Sequence, residues 1–317
     1  MSASDALARA AGLVDLPGEA TFHVEGAAAR DFLHRMLTQD VRSMTAGEAR
    51  PACFLTAQGK VLADLLLSDL GGEFGFTLDV RAAPTAVSAL ARYVIADDVA
   101  LADISPSWAH FLLAGPRSPE ALTAAGLPVP PNGRFLAATI AGSSGSVLRL
   151  DWKDRPVFRV AVPADRVAAA RRALLAVPGV SPASEADLDV ARIETMTPAW
   201  GAEVDERVIP NEAGLSASIS WTKGCYLGQE VVVMAKHRGH PATLLCRLAV
   251  EGEAVPARGA ALLQGDRRAG RVTTAGRGVL LPGVVALGLV RFDLAKAGAS
   301  LTVEGTGSRA VVSAVAA

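Results

Sequence analysis

Apolar and polar positions change period several times along this chain, and each change predicts an element. The stretch "ATFHVEG" (residues 20–26) alternates, as a half-buried strand does. "GAAARDFLHRMLTQDV" (26–41) then gathers Phe32, Leu33, Met36 and Leu37 on one helical face. "ACFLTAQGKVLADLLLSDLGGEFGFTLDV" (52–80) reads as two or three strands, with turns at Gln58-Gly59 and Gly71-Gly72. "APTAVSALARYVIADDV" (83–99) returns to the helical period through Val87, Leu90 and Val94. "WAHFLLAG" (108–115) predicts a strand, and "SPEALTAAG" (118–126) a short helix with Ser118 as N-cap and Gly126 as its stop. "SVLRLDW" and "VFRVAVP" predict strands; "ADRVAAARRALLAV" and "SEADLDVARIETM" predict helices, the second ending before Pro198. Strands and helices thus mix in a β-α-β-β-α rhythm, the mark of the α+β class.

After Pro241 the texture changes. "TLLCRLAVEG", "AALLQG", "RRAGRVTTAG", "VVALGLVR", "SLTVEG" and "RAVVSAVA" are short strands separated by glycine turns. They predict a small all-β domain, a barrel, from about residue 242 to the end.

Composition narrows the function classes. At 317 residues the chain is long enough for roughly two domains. With 31 basic and 32 acidic residues it presents no broad basic surface, which argues against strong direct nucleic-acid binding. Cys53, Cys225 and Cys246 are scattered and odd in number, so they form no disulfide framework and suit a reducing compartment. No C-x-x-C pair, P-loop or G-x-G-x-x-G pattern occurs, so neither a closed metal site nor a nucleotide cradle is expected. The N-terminus has no signal or transit pattern, and the most apolar run, "VLLPGVVALGLV", is far shorter than the ~20 residues a membrane span needs. These features are read as a soluble cytoplasmic protein.

One stretch stands apart. "TKGCYLGQEVVVMAKHRG" (222–239) crowds Lys, Cys, Gln, Glu, Lys, His and Arg between three glycines. A cysteine acts as nucleophile, redox group or metal ligand only as thiolate, and a nearby cation or a helix N-terminus favours that form. Lys223 supplies the cation, and a helix opening at Gly228 would supply the dipole; the three valines keep a strand open as the alternative. The plainer reading of Cys225 is a small buried apolar residue beside a solvated Lys223.

The octapeptide "KGCYLGQE" (223–230) resembles the signature of the YgfZ-type folate-binding proteins, which assist iron–sulfur enzymes and are relatives of the glycine-cleavage T-protein, an aminomethyltransferase. "IPNEAGLSASISWT" resembles the run that leads into that signature. Weaker matches follow in the family's order: "VEGAAARDFLHRMLTQDV", "TAQGKVLADLLL", "LLAGP", "ARIETMTPAWGAEVD", "AGRVTT" and "ALGLV". Together they span nearly the whole chain.

The resemblance implies a glycine-cleavage T-protein-like folate-binding fold. Interlocked α+β subdomains (residues 1–241) would surround a folate cavity, followed by a C-terminal β-barrel (242–317). It implies tetrahydrofolate or a derivative as cofactor, and folate, iron–sulfur client proteins or assembly factors as partners, with no membrane. Cys225 carries over as the motif cysteine, the functional thiol, and Lys223 as the motif lysine. Glu194 of "ARIETM" matches the glutamate that holds the pterin, whose adjacent N–H and amino group suit a carboxylate; the alternative is a helix-surface salt bridge with a neighbouring arginine. Arg192, Trp200 and Arg238 are further cofactor-binding candidates. Lys236, His237 and Arg238 would meet the anionic tail of folate or form a solvated basic edge. Trp200 and Trp221 would wall a ring-binding cavity or pack in the core. Asp64 stands where the T-protein has an acidic pair, but Ala63 precedes it, which puts aminomethyl transfer in doubt. Two functions follow. One is a folate-binding accessory protein for iron–sulfur enzymes, including radical enzymes that modify tRNA. The other is a tetrahydrofolate-dependent one-carbon transferase or demethylase using Asp64 and Glu194.

Overall fold

Alternation along "ATFHVEG" emerges as strand β2 (Glu19–Glu25), whose apolar positions are buried and whose polar positions are not. The computed structural model describes residues 3–237 and 239–316. Among these residues two open sheets and one closed barrel form.

The first sheet joins β2 to β3 (Ala49–Leu55), β4 (Val61–Asp69), β5 (Phe74–Asp79) and β6 (Ala100–Asp103), in the order β3-β4-β5-β2-β6. Helices α2 (Ala29–Met36) and α3 (Ala83–Ala91) follow β2 and β5. One face of this sheet is apolar: Ala63, Leu65, Phe76 and Leu78 meet Ala86 and Leu90 of α3, and Phe22 stacks on its cross-strand partner Phe76. Helix α3 ends at Ala91, short of the expected Val94. Arg92, Tyr93, Val94 and Ile95 follow, and aromatic and β-branched residues weakly support a helix that little packing holds; Ile95 is 88% exposed.

The second sheet contains β1 (Ala11–Asp15), β7 (Trp108–Ala114), β8 (Arg134–Ile140), β9 (Ser143–Arg149), β10 (Val157–Pro163) and β11 (Val180–Pro182), in the order β11-β1-β7-β10-β9-β8. Helices α1 (Ala3–Arg9), α4 (Ser118–Ala124) and α5 (Val167–Leu175) accompany it. Its core packs Leu13, Phe111, Leu113, Phe158 and Val160 with Leu122 of α4 and Leu174 of α5. Ser118 lies inside α4 rather than at its N-cap, which is Arg117; its hydroxyl donates to the Gly115 carbonyl at 2.6 Å.

Helices α6 (Glu185–Thr195) and α7 (Gln229–His237) precede the barrel. The barrel strands are β12 (Thr243–Val250), β13 (Ala261–Gln264), β14 (Arg267–Arg277), β15 (Val284–Arg291), β16 (Ser300–Val303) and β17 (Arg309–Val315), closed in the order β12-β15-β14-β13-β16-β17. Every second residue of β12 (Cys246, Leu248, Val250) enters its core. Register shifts at Arg247/Leu248, Leu262/Leu263 and Val272/Thr274 supply the bends that closure requires. The glycine-punctuated tail therefore folds as the expected barrel. Among the described residues no helix is long and apolar enough to cross a membrane.

The chain divides into two units that each draw on distant segments. Met1–Phe54, Ala63–Asp187 and Ser218–Tyr226 form the first; Leu55–Leu62, Leu188–Ala217 and Leu227–Ala317 form the second.

Candidate functional site

The second unit holds Arg192, Glu194 and Trp200. Helix α6 stops in a double reverse bond: Thr197 N–H reaches the Arg192 carbonyl at 2.9 Å and Met196 N–H reaches that of Ile193. Met196 takes the left-handed conformation this ending needs (φ +58°), a position glycine usually fills. The stop leaves Glu194 buried in the last turn, 6% exposed. One of its carboxylate oxygens, Oε1, accepts the backbone N–H groups of Val279, Leu280 and Leu281 at 2.8, 2.7 and 3.2 Å. Its carbonyl accepts from Arg247 Nη1 at 2.8 Å. Glu194 thus gathers the β14–β15 loop around a carboxylate.

Arg192, expected beside the ligand, spends its guanidinium within the protein. It pairs with buried Glu203 at 2.9 Å and with Asp189 at 2.6 Å, and donates to the Thr197 carbonyl at 3.2 Å. Arg192 and Thr274, which bonds the other Glu203 oxygen at 2.6 Å, hold that carboxyl below the usual range against the opposing effect of its burial. Trp200 is half-buried and bridges to Val204. Arg238 lies outside the described residues.

Helix α7 resolves the choice between helix and strand after Gly228. Gly228 turns at φ +78°, and a Cβ there would stand 2.4 Å from the Thr56 carbonyl oxygen, so the turn before β4 and the start of α7 approach backbone to backbone. Glu230 in the first turn and Lys236 and His237 in the last complement the helix dipole. Gln229, Glu230, Val233, Met234 and His237 line an open groove along one face of α7.

The first unit holds Lys223, Cys225 and Asp64. Cys225 is exposed, whereas Cys53 and Cys246 are buried. The plainer reading of Cys225 as a buried apolar residue does not describe it. The Lys223 ammonium is half-buried and donates to three carbonyls at the C-terminal end of α2: His34, Leu37 at 2.7 Å and Gln39 at 2.9 Å. Burial lowers its pKa to about 8, with Asp40 opposing and Arg42 reinforcing. Its second neighbour is the Tyr226 ring, 5.1 Å away. The lysine is therefore a cap on α2, where the sequence pattern expected a cation serving the thiol. Tyr226 is buried, 7% exposed, and anchors the loop by its ring; burial pushes its hydroxyl up to about 12. A Cβ at Gly224 would meet open space, so no steric demand explains that glycine.

Asp64 lies half-buried on β4, and desolvation raises its pKa from 3.8 to about 7, with Arg159 opposing and Glu19 adding to the rise. A buried thiol connects it to the motif: Cys53 is pushed up by burial and by Asp64, and in turn acts on Tyr226. The residues around Asp64 were not singled out in the sequence. Arg159 pairs with Glu19 at 2.6 Å, and His110 bonds Thr21 at 2.8 Å. These groups are spread over 140 positions (19 to 159), and only the fold assembles them. Among the described residues no group of three or more His, Cys, Asp or Glu is placed to hold a metal ion.

Known proteins share this fold. Residues 3–223 match the GCVT N-terminal domain, and residues 228–317 match the glycine cleavage T-protein C-terminal barrel domain. An aminomethyltransferase of Geobacillus kaustophilus is 28% identical over 314 residues, covering 96% of this chain and 86% of that protein. An aminomethyltransferase of Mycobacterium bovis is 28% identical over 280 residues, covering 87% and 76%. The crystal structure of glycine cleavage system aminomethyltransferase T from Bartonella henselae superimposes with a TM-score of 0.89 at 22% identity, over 98% of this chain and 87% of that one, which shows a common fold. With matched segments running from the third residue to the last, this chain belongs to the glycine cleavage T-protein family, a GCVT N-terminal domain followed by that family's C-terminal barrel.

Proposed function

We propose that this protein binds tetrahydrofolate or a derivative and acts as a YgfZ-type accessory factor, supporting iron–sulfur cluster assembly or repair in client enzymes, tRNA-modifying radical enzymes among them. The observation that carries this reading is the setting of Cys225. Its thiol is exposed within "KGCYLGQE", on a loop fixed by Lys223 at one end and by the buried Tyr226 ring at the other. A structural cysteine has no need of such a mount, and a working thiol does.

The residues present fit a folate in kind. An open groove along α7 sets Val233 and Met234 beside Gln229, Glu230 and His237, a mix of apolar and polar groups of the kind a folate would meet. Glu194 is a buried carboxylate of the kind that meets a pterin's donors, with Oε1 already engaged by the β14–β15 loop, and Trp200 adds a ring. Arg192 acts on Glu194 indirectly, by fixing the end of α6 through Glu203. Tetrahydrofolate, when bound, supplies the nitrogens that carry a one-carbon unit. A second reading, a tetrahydrofolate-dependent one-carbon transferase, is favoured by Asp64, which titrates near neutrality and so could hold or release a proton there. The family's aminomethyltransferases support the same reading.

The test has two arms. Titration with tetrahydrofolate should give saturable binding, weakened roughly ten- to hundredfold by Glu194→Gln, the loss of one charged hydrogen-bond partner. Cys225→Ser should bind folate normally yet fail to restore iron–sulfur enzyme activity in cells lacking the wild-type protein. Full complementation by Cys225→Ser overturns the accessory role, and formation of methylene-tetrahydrofolate from an aminomethyl donor at enzymatic rates establishes the transferase instead.

A further inference from the structure

The face of the β3-β4-β5-β2-β6 sheet opposite α3 is polar, and the other sheet of the same unit answers it. Glu19 pairs with Asp79 across β2 and β5, and Leu65 with Leu78 across β4 and β5. Continuing that register places Glu19, Asp79 and Asp64 in one row on one face. On the second sheet, Phe158 and Val160 of β10 enter the apolar core, so Arg159 between them points to the opposite side. There Arg159 reaches Glu19 at 2.6 Å, and His110 of β7 reaches Thr21 at 2.8 Å. Polar side chains of the two sheets thus meet here, beside an apolar contact of Leu66 with Leu148.

We propose that Glu19 and Arg159 are positioning residues for Asp64. Glu19 claims the guanidinium, so that Arg159 counters the Asp64 carboxyl without pairing with it, and Asp64 remains a proton-exchanging group. This rests on the reading that Asp64 acts at the nitrogen of a folate or an amine.

Each partner is needed for the balance. Without Glu19, Arg159 would be free to form a charge-assisted pair with Asp64 and keep it ionised. Without Arg159, Asp64 and Glu19 would share a half-buried layer as two like charges, and protonation would be favoured. The remaining groups contribute little charge at neutral pH. Asp79, in the same row, is bound by Arg81 at 2.7 and 2.8 Å. Burial holds His110 at about 4, so its ring is neutral, and burial with Asp64 keeps Cys53 a thiol. Burial and Glu19 push Asp64 up, Arg159 pulls it down, and the carboxyl is left near 7.

Infrared difference spectroscopy of the full-length protein across pH reads this directly, with Asp64→Asn identifying the band. Glu19→Gln should move the Asp64 midpoint down and Arg159→Met should move it up, each by about one unit or more. Arg159→Lys keeps the charge and should return the midpoint toward wild type. The pH profile of tetrahydrofolate binding should move with the band. Opposite shifts in a protein that binds no tetrahydrofolate would support the charge-setting pair and overturn the folate reading. Shifts of the same sign in both variants, or none in either, overturn the proposal. Should Arg159→Met fail to fold, Glu19→Gln against Arg159→Lys still decides, because only the first is expected to lower the midpoint.

Discussion

The Lys223 ammonium lies 2.7 Å from the carbonyl oxygen of Leu37, with the carbonyls of His34 and Gln39 as its other acceptors. A residue far along the chain thereby caps helix α2, whose last carbonyls lack partners within the helix. Lys223→Met keeps the stem and removes the donors. The variant should lose about 1.5–3 kcal/mol, the lower end being expected because the site is half-buried. Urea unfolding measures this, and a wild-type midpoint would show that the carbonyls do not depend on the lysine.

The two glycines of the motif should respond unequally to alanine. Gly228→Ala forces a side chain into φ +78° and against the Thr56 carbonyl oxygen at 2.4 Å. The left-handed conformation alone costs about 1–2 kcal/mol, and the clash adds to it. Gly224→Ala meets open space and should stay within about 0.5 kcal/mol of wild type. Thermal unfolding of the pair checks the contrast; equal losses would count against the backbone approach at Gly228.

The three cysteines should separate by accessibility. Cys225 is exposed, while Cys53 and Cys246 are both fully buried and their thiols pushed up by burial. A bulky thiol reagent should modify one cysteine in the native protein and all three only after unfolding. Mass spectrometry of the labelled peptides decides; native labelling at Cys53 would contradict its complete burial.

Asp64 should make folding pH-dependent with a definite sign. Its folded pKa is raised from 3.8 to about 7. Between those values the folded chain holds a proton that the unfolded chain has released, so stability falls as pH rises through the window. The contribution is complete below the lower value and lost above the upper one. Asp64→Asn cannot ionise, so it should gain stability over wild type at about pH 8 and show little gain at about pH 4. Denaturation at the two pH values tests this, and a gain confined to the acid side would reverse the assignment.

What the sequence made legible follows from where each signal resides. The period through Phe32, Leu33, Met36 and Leu37 gave α2, and the glycine-spaced strands gave the barrel, because both are packed by their own side chains. The chemistry of Lys223 was not legible, since its partners are backbone carbonyls that any sequence would carry. The same holds for the N–H groups of Val279, Leu280 and Leu281 around Glu194. Nothing local in the sequence marks Glu203 or Arg159; burial and the strand register make them partners of Arg192 and Glu19. The choice of helix for "QEVVVMAKH" also depended on Gly228, whose turn ends the preceding loop and lets good helix formers follow.

The division of the chain has a consequence for its synthesis. Ser218–Tyr226 belongs to the first unit, although Leu188–Ala217 before it belongs to the second. A nascent chain therefore cannot complete the first unit until residue 226 has emerged, by which point its two sheets have waited through a segment destined elsewhere. Contacts this distant in sequence slow folding and leave partly formed surfaces exposed in the interval. The cap on α2 and the exposed thiol are the last of the first unit to arrive, and arrive together, so Cys225 cannot take its finished place before the scaffold that holds it exists.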